Sequence, residues 1–145
     1  MVDSISQEAR SALMSRIRGK NTRPELQVRR LLFAAGYRYR LHVPTLPGSP
    51  DLVFSSRKKV IFVHGCFWHL HENCRFARLP KSRVEFWSNK LSANKARDSR
   101  KSEALIAAGW KVMVVWECEI DDISALENKL KDFLGAAGGA RTAAL

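Results

Sequence analysis

Apolar positions along the chain fall into short runs of two different periods, separated by clear punctuation. From Gln7 to Arg18, Ala9, Leu13 and Ile17 recur at helical spacing among arginines. They predict a short helix, marginal alone, that must dock on the body or on a partner. Asn21 and Thr22 then precede Pro24 and Glu25, an N-cap followed by proline in a first turn. This second helix carries Leu26, Leu31 and Leu32 on its apolar face and runs to about Ala35, where Gly36 suits a C-cap. Tyr37 to Val43 alternates as a half-buried strand does. After a rigid turn at Pro44, Pro47, Gly48 and Pro50, the run D-L-V-F is a short strand. Lys59 to Val63, beyond a turn at Ser55 to Lys58, is a more buried one. The two read as a hairpin that Asp51 opens and His64 closes.

Val84 to about Ala108 is mostly helical, with a break expected near Ser92 and an end at Gly109. Trp110 to Trp116 is a buried β run, and a crossover helix between two such strands favours parallel pairing. Ile123 to Leu134 is a closing amphipathic helix. The order α-α-β-β-β-α-β-α implies an α/β fold, a central mixed sheet flanked by helices. The 145 residues suit one domain, with a body over 21–135, an N-terminal helical arm over 1–20 and a flexible tail over 136–145.

The charge points to a polyanion. The formal net charge is +11 and the pI near 10.1. Residues 10–40 carry nine Lys or Arg against Glu25 alone, and residues 75–101 another nine against Glu85 and Asp98. Clustered cations gain from phosphate contacts through counterion release. No apolar run approaches the roughly 20 residues of a membrane span and the N-terminus lacks a signal-peptide core, so a cytoplasmic location without membrane partners is expected. Nothing resembles a dimerisation element, and a monomer is expected.

Chemistry concentrates in Val60 to Cys74, V-I-F-V-H-G-C-F-W-H-L-H-E-N-C. Cys66, His71, Cys74 and the distant Cys118 form a Cys3His set that uses every cysteine and suits a structural zinc; buried free cysteines are the alternative. Asp51, at the start of a strand in a basic protein, can hold Mg2+ against a phosphate, or is a turn residue. The neighbouring strand brings His64 and His69 to the same edge, where an imidazole can take a proton from water. Phe67 and Trp68 form an exposed aromatic pair, either a wedge that unstacks bases or core payload. Phe86 and Trp87 are expected in the core. Lys81, Arg83, Lys90, Asn94, Lys95 and Arg97 are candidates for DNA backbone contacts.

The run H-G-C-F-W-H-x-H, with L-P-G-S-P-D upstream and F-W-x-x-K and W-K-V-M-V-V-W-E-C downstream, closely resembles the very short patch repair (Vsr) DNA mismatch endonucleases over roughly Ser11 to Cys118. The resemblance implies a restriction-endonuclease-like fold and Mg2+-dependent nicking of one DNA strand beside the thymine of a T:G mismatch. That would place the protein on the bacterial nucleoid, with mismatch-repair proteins as further candidate partners. By position it implies Asp51 as the side-chain magnesium ligand and Val63 as a backbone-carbonyl ligand. His69 would be the general base, His64 a phosphate-side stabiliser and Glu25 an organiser of outer-shell water. Cys66, His71, Cys74 and Cys118 match structural zinc ligands. Phe67 and Trp68 match aromatics wedged beside the mismatch, and Met14 and Ile17 lie on a helix that clamps the other groove. Three departures stand out. Position 63, often threonine in the family, is valine, and two residues instead of one separate His71 from Cys74. The Glu-x-Lys usual in such nucleases is absent: the strand end reads Val63-His64-Gly65. Without catalysis the chain would be a zinc-stabilised DNA-binding module, and without mismatch preference a general nuclease of the same fold.

Overall fold

The computed structural model describes residues 22–69, 71, 72, 74, 77 and 79–137. The expected first helix, with Met14 and Ile17, and the tail from residue 138 lie outside them. The described elements are α1 (Arg23–Ala34), β1 (Arg40–Leu41), β2 (Leu52–Phe54), β3 (Lys59–His64), α2 (Val84–Ala107), β4 (Lys111–Trp116) and α3 (Ile123–Leu134). The sheet is mixed, in the order β1-β2-β3-β4. The first two pairings are antiparallel, and β3 lies parallel to β4 across the α2 crossover.

Local signals set the element ends. Thr22 caps α1 by accepting from Glu25 N, with Pro24 in the first turn. Both α1 and α2 stop in the same way. Tyr37 N donates to Leu32 O and Gly36 N to Phe33 O, while Trp110 N donates to Leu105 O and Gly109 N to Ile106 O. The turning residues Gly36 (φ +98) and Gly109 (φ +93) take left-handed conformations that a side chain would oppose. At the C-terminus of α3, Arg57 Nη1 donates to Leu134 O, Lys59 Nζ to Phe133 O and Tyr37 Oη to Gly135 O. Two cations thus meet the negative end of the helix.

The pleat sorts each strand between two cores. Leu52, Phe54, Ile61 and Val115 face Val28 and Leu32 of α1 and Leu126, Leu130 and Leu134 of α3. Val53, Val60 and Phe62 face Leu105 of α2 on the other side. The molecule is therefore a small α/β domain, its mixed sheet between two helices and one.

Three expectations need correction. The strand over Tyr37–Val43 contracts to Arg40–Leu41: Tyr37 is consumed by the end of α1, and His42 leaves the extended region at φ +48. Helix α2 runs unbroken through Ser92. Phe86 is not core but 44% exposed, in a first turn of α2 that also leaves Val84 45% exposed.

Candidate active site

Strand register assembles the site. Antiparallel pairing of Leu52 with Ile61 puts Asp51 beside the end of β3, where Val63 N donates to Asp51 Oδ2 at 2.7 Å. Parallel pairing of His64 with Trp116 then sets Cys66 and Cys118 side by side, each two residues past its partner in the pair. The loop between folds back tightly: His69 N donates to Gly65 O and His71 N to Cys66 O.

Asp51, Glu25 and His42 bring their ligand atoms within 4.8 Å of one another. Glu25 is 2% exposed, pairs with Arg29 and lies 2.8 Å from His42 Nε2. The other ring nitrogen, His42 Nδ1, is 3.7 Å from Asp51 Oδ1. Burial pushes the Asp51 carboxyl up to about 6; the Val63 N–H opposes this and nearby Glu25 adds to it. The carboxylates of Asp51 and Glu25, crowded with the His42 imidazole, form a donor set that a divalent cation would relieve. Imidazole N and carboxylate O suit Mg2+, Mn2+ or Zn2+.

Beyond the same strand end, the rings of His64 and His69 stack with centroids 3.8 Å apart and planes at 5°. Asp98, on α2, reaches His69 Nδ1 with its Oδ2 at 2.5 Å. Burial opposes ionisation of Asp98, but the hydrogen bond and charge of His69 outweigh it and hold the carboxyl below the usual range. Since an ionised carboxylate only accepts, Nδ1 carries the hydrogen of this bond, and Nε2 is the ring nitrogen turned away from Asp98. His64 is 7% exposed, edged by Trp116 at 5.3 Å and Phe62 at 5.7 Å. Burial and the neighbouring charge of His69 lower its pKa to about 3, so it stays neutral.

The Cys66, His71, Cys74 and Cys118 donor atoms all lie within 4.8 Å of one another. Cys118 Sγ is 3.5 Å from His71 Nδ1, and the His71 ring stacks on Trp116 at 4.1 Å. Cys66, Cys74 and Cys118 form no disulfide. Burial pushes the Cys66 thiol up to about 12 and raises that of Cys118, so both stay protonated unless a cation draws them into the thiolate form. Three thiols and one imidazole in one cluster fit a tetrahedral metal site.

Phe67 and Trp68 depart from the expected exposed pair. Phe67 is half-buried and Trp68 only 8% exposed, and both pack edge-on against Trp87, at 5.5 and 5.9 Å. Trp87 therefore joins the loop aromatics. Asn94 Nδ2 donates to Trp68 O at 3.2 Å and so braces this cluster from α2. Lys81 and Arg83 are exposed, with Arg83 over the Phe86 ring at 4.3 Å.

Sequence reasoning gave His42 and Asp98 no role. Asp98 had left a signal, as one of only two acids among nine bases. His42 had none, because its alternation matched an ordinary strand.

The profile of the family described as DNA mismatch endonuclease Vsr matches residues 2–75. The chain is 58% identical over 134 residues to the type II nicking enzyme V.XorIIP of Xanthomonas oryzae pv. oryzae, covering 92% of this chain and 98% of that protein. It is 41% identical over 130 residues to the type II nicking enzyme V.NmeAIP of Neisseria meningitidis, covering 90% of this chain and 92% of that one. To the DNA mismatch endonuclease Vsr of Escherichia coli it is 39% identical over 120 residues, covering 83% and 76%.

Proposed function

The chain belongs to the Vsr family of DNA mismatch endonucleases, and from that premise we propose that it is a magnesium-dependent endonuclease nicking one strand of duplex DNA beside the thymine of a T:G mismatch. The observation that carries this reading is one strand end holding Asp51 on one side and the His69–Asp98 pair on the other. On this reading the α/β domain is of the restriction-endonuclease-like type.

Asp51 and the Val63 carbonyl would hold the Mg2+, with Glu25 and His42 behind Asp51 placed to order its waters. When bound, the ion neutralises charge on the phosphate and acidifies water. His69 takes the proton of the attacking water on Nε2, because Asp98 fixes Nδ1 as the donor and stabilises the imidazolium that forms. His64, neutral and stacked on His69, restricts that ring to one plane and lies toward the phosphate. Cys66, His71, Cys74 and Cys118 would hold a structural Zn2+; four protein ligands leave no open position, so its effect is to tie the 66–74 loop to the end of β4.

Phe67, backed by Trp68 and Trp87, is more accessible than the buried Trp68 and serves as the wedge beside the mismatch. Lys81 and Arg83 contact the backbone nearby, and Asn94 acts through Trp68. Met14 and Ile17 complete the grip from the other groove. The test uses end-labelled duplexes carrying each mismatch in turn, incubated with the protein and Mg2+. A nick confined to the thymine strand of T:G is expected; equal cutting of paired and mispaired DNA would overturn the specificity.

A further inference from the structure

The end of β3 leaves the site short of fixed positive charge. Val63-His64-Gly65 brings no ammonium. Phosphoryl transfer spreads negative charge over the phosphate oxygens, and a preorganised cation stabilises it. Among the described residues, Arg29 is held by Glu25 behind Asp51, Lys95 pairs with Glu72 at 2.8 Å, and Arg97 with Asn94 Oδ1.

Lys101 differs. Among the described residues no ion pair involves it. It follows Asp98 by three positions on α2 and so shares its face. Its stem crosses the turn that leads to Asp51: a Cβ placed on Gly48 would lie 2.7 Å from Lys101 Cγ and 2.8 Å from Cβ and Cδ. Gly48 is thus demanded twice, by that passage and by its own φ of +75. Lys101 is half-buried beside exposed Ser99 and Arg100, and its charge helps hold the Asp98 carboxyl down. The stem is fixed between the Asp98 face of α2 and the turn that leads to Asp51.

We propose that Lys101 is a catalytic residue, its ammonium contacting a non-bridging oxygen of the scissile phosphodiester on the His64 side, in place of the lysine that β3 lacks. The proposal rests on the endonuclease reading above. In the step it serves, the water oxygen forms a new bond to phosphorus as the bond to the leaving sugar oxygen breaks. The water proton goes to His69 Nε2, the leaving oxygen takes a proton from solvent, and Lys101 keeps its own proton throughout.

Two variants of the full chain test it. K101M retains the stem over Gly48 and loses the charge, whereas K101R retains the charge. In single-turnover nicking of a T:G duplex with Mg2+, K101M should lose about 10²-fold in rate with little change in duplex affinity or melting temperature, and K101R should recover most of the loss. An unchanged K101M rate, or a loss residing wholly in affinity, would overturn the proposal. A second readout needs no cleavage: amine acetylation mapped by mass spectrometry, with and without the T:G duplex in Ca2+. Lys101 should be protected while Lys131, on the opposite face of the sheet, is not. Equal labelling of Lys101 overturns the contact even if the wild type nicks nothing. Protection of Lys101 in a wild type that nicks nothing upholds the contact and indicts the endonuclease reading alone.

Discussion

Replacing Asp98 by asparagine changes one charge and almost no volume, so it isolates what the carboxylate does for His69. A hydrogen bond to a charged group contributes roughly 1.5–3 kcal/mol. Two unit charges about 4 Å apart attract by about 4 kcal/mol at an effective dielectric near 20. The Asp98 side chain is only 18% exposed, so solvent trims the second figure without removing it. A net loss of about 3 kcal/mol in the transition state is about 10²-fold in rate. Asparagine can also present its amide N–H and select the other tautomer, a change that costs about 10⁴-fold in the serine-protease triad. We therefore expect the single-turnover nicking rate of D98N to fall between these limits, with duplex affinity unchanged. A rate within about threefold of wild type, less than 1 kcal/mol, would refute the assignment of Nε2 as the base. Stability carries a sign of its own. The folded pKa of Asp98 lies below the ordinary 3.8, so its contribution is present above that value and is lost as pH falls through the folded one. Melting scans should show wild type above D98N at neutral pH, with the gap closing in acid below 3.8.

Three further outcomes are expected. Glu25→Ala leaves Arg29 and His42 around a buried void and should cost about 3–5 kcal/mol in denaturant unfolding, whereas surface Glu72→Ala should leave the unfolding midpoint close to that of the wild type. Cys118→Ser, or a strong chelator, should lower the melting temperature by several degrees and remove zinc by elemental analysis; no zinc and an unchanged melt would contradict the zinc reading. Phe67→Ala with Trp68→Ala should bring cleavage of T:G and fully paired duplexes closer together, and an unchanged ratio would remove the wedge.

The sheet was legible because its apolar runs are short, β-branched and bounded by proline, glycine and charge. The ends of α1 were legible because Thr22, Pro24 and Gly36 act on their immediate neighbours. What escaped depends on residues distant in sequence. His42 is turned out of β1 by a place between Glu25 and Asp51 that no local pattern encodes. Asp98 meets His69 from 29 residues away, only because α2 runs straight through Ser92. Phe86 and Trp68 exchanged exposure relative to expectation, since an aromatic pair shows the same local pattern whether the sheet lies beneath it or not. The Cys66, His71, Cys74 and Cys118 set was found by residue type and spacing, and β3–β4 register explains why Cys118 reaches the others.

On the proposed reading, Asp51 and His69 act together at one strand end. The most direct measurement is nicking of an end-labelled T:G duplex in Mg2+ by wild type, Asp51→Ala and His69→Ala, alongside duplex affinity and thermal melting. Both variants should bind and fold close to wild type and leave the thymine strand intact. Nicking at the wild-type rate by either one would contradict the account.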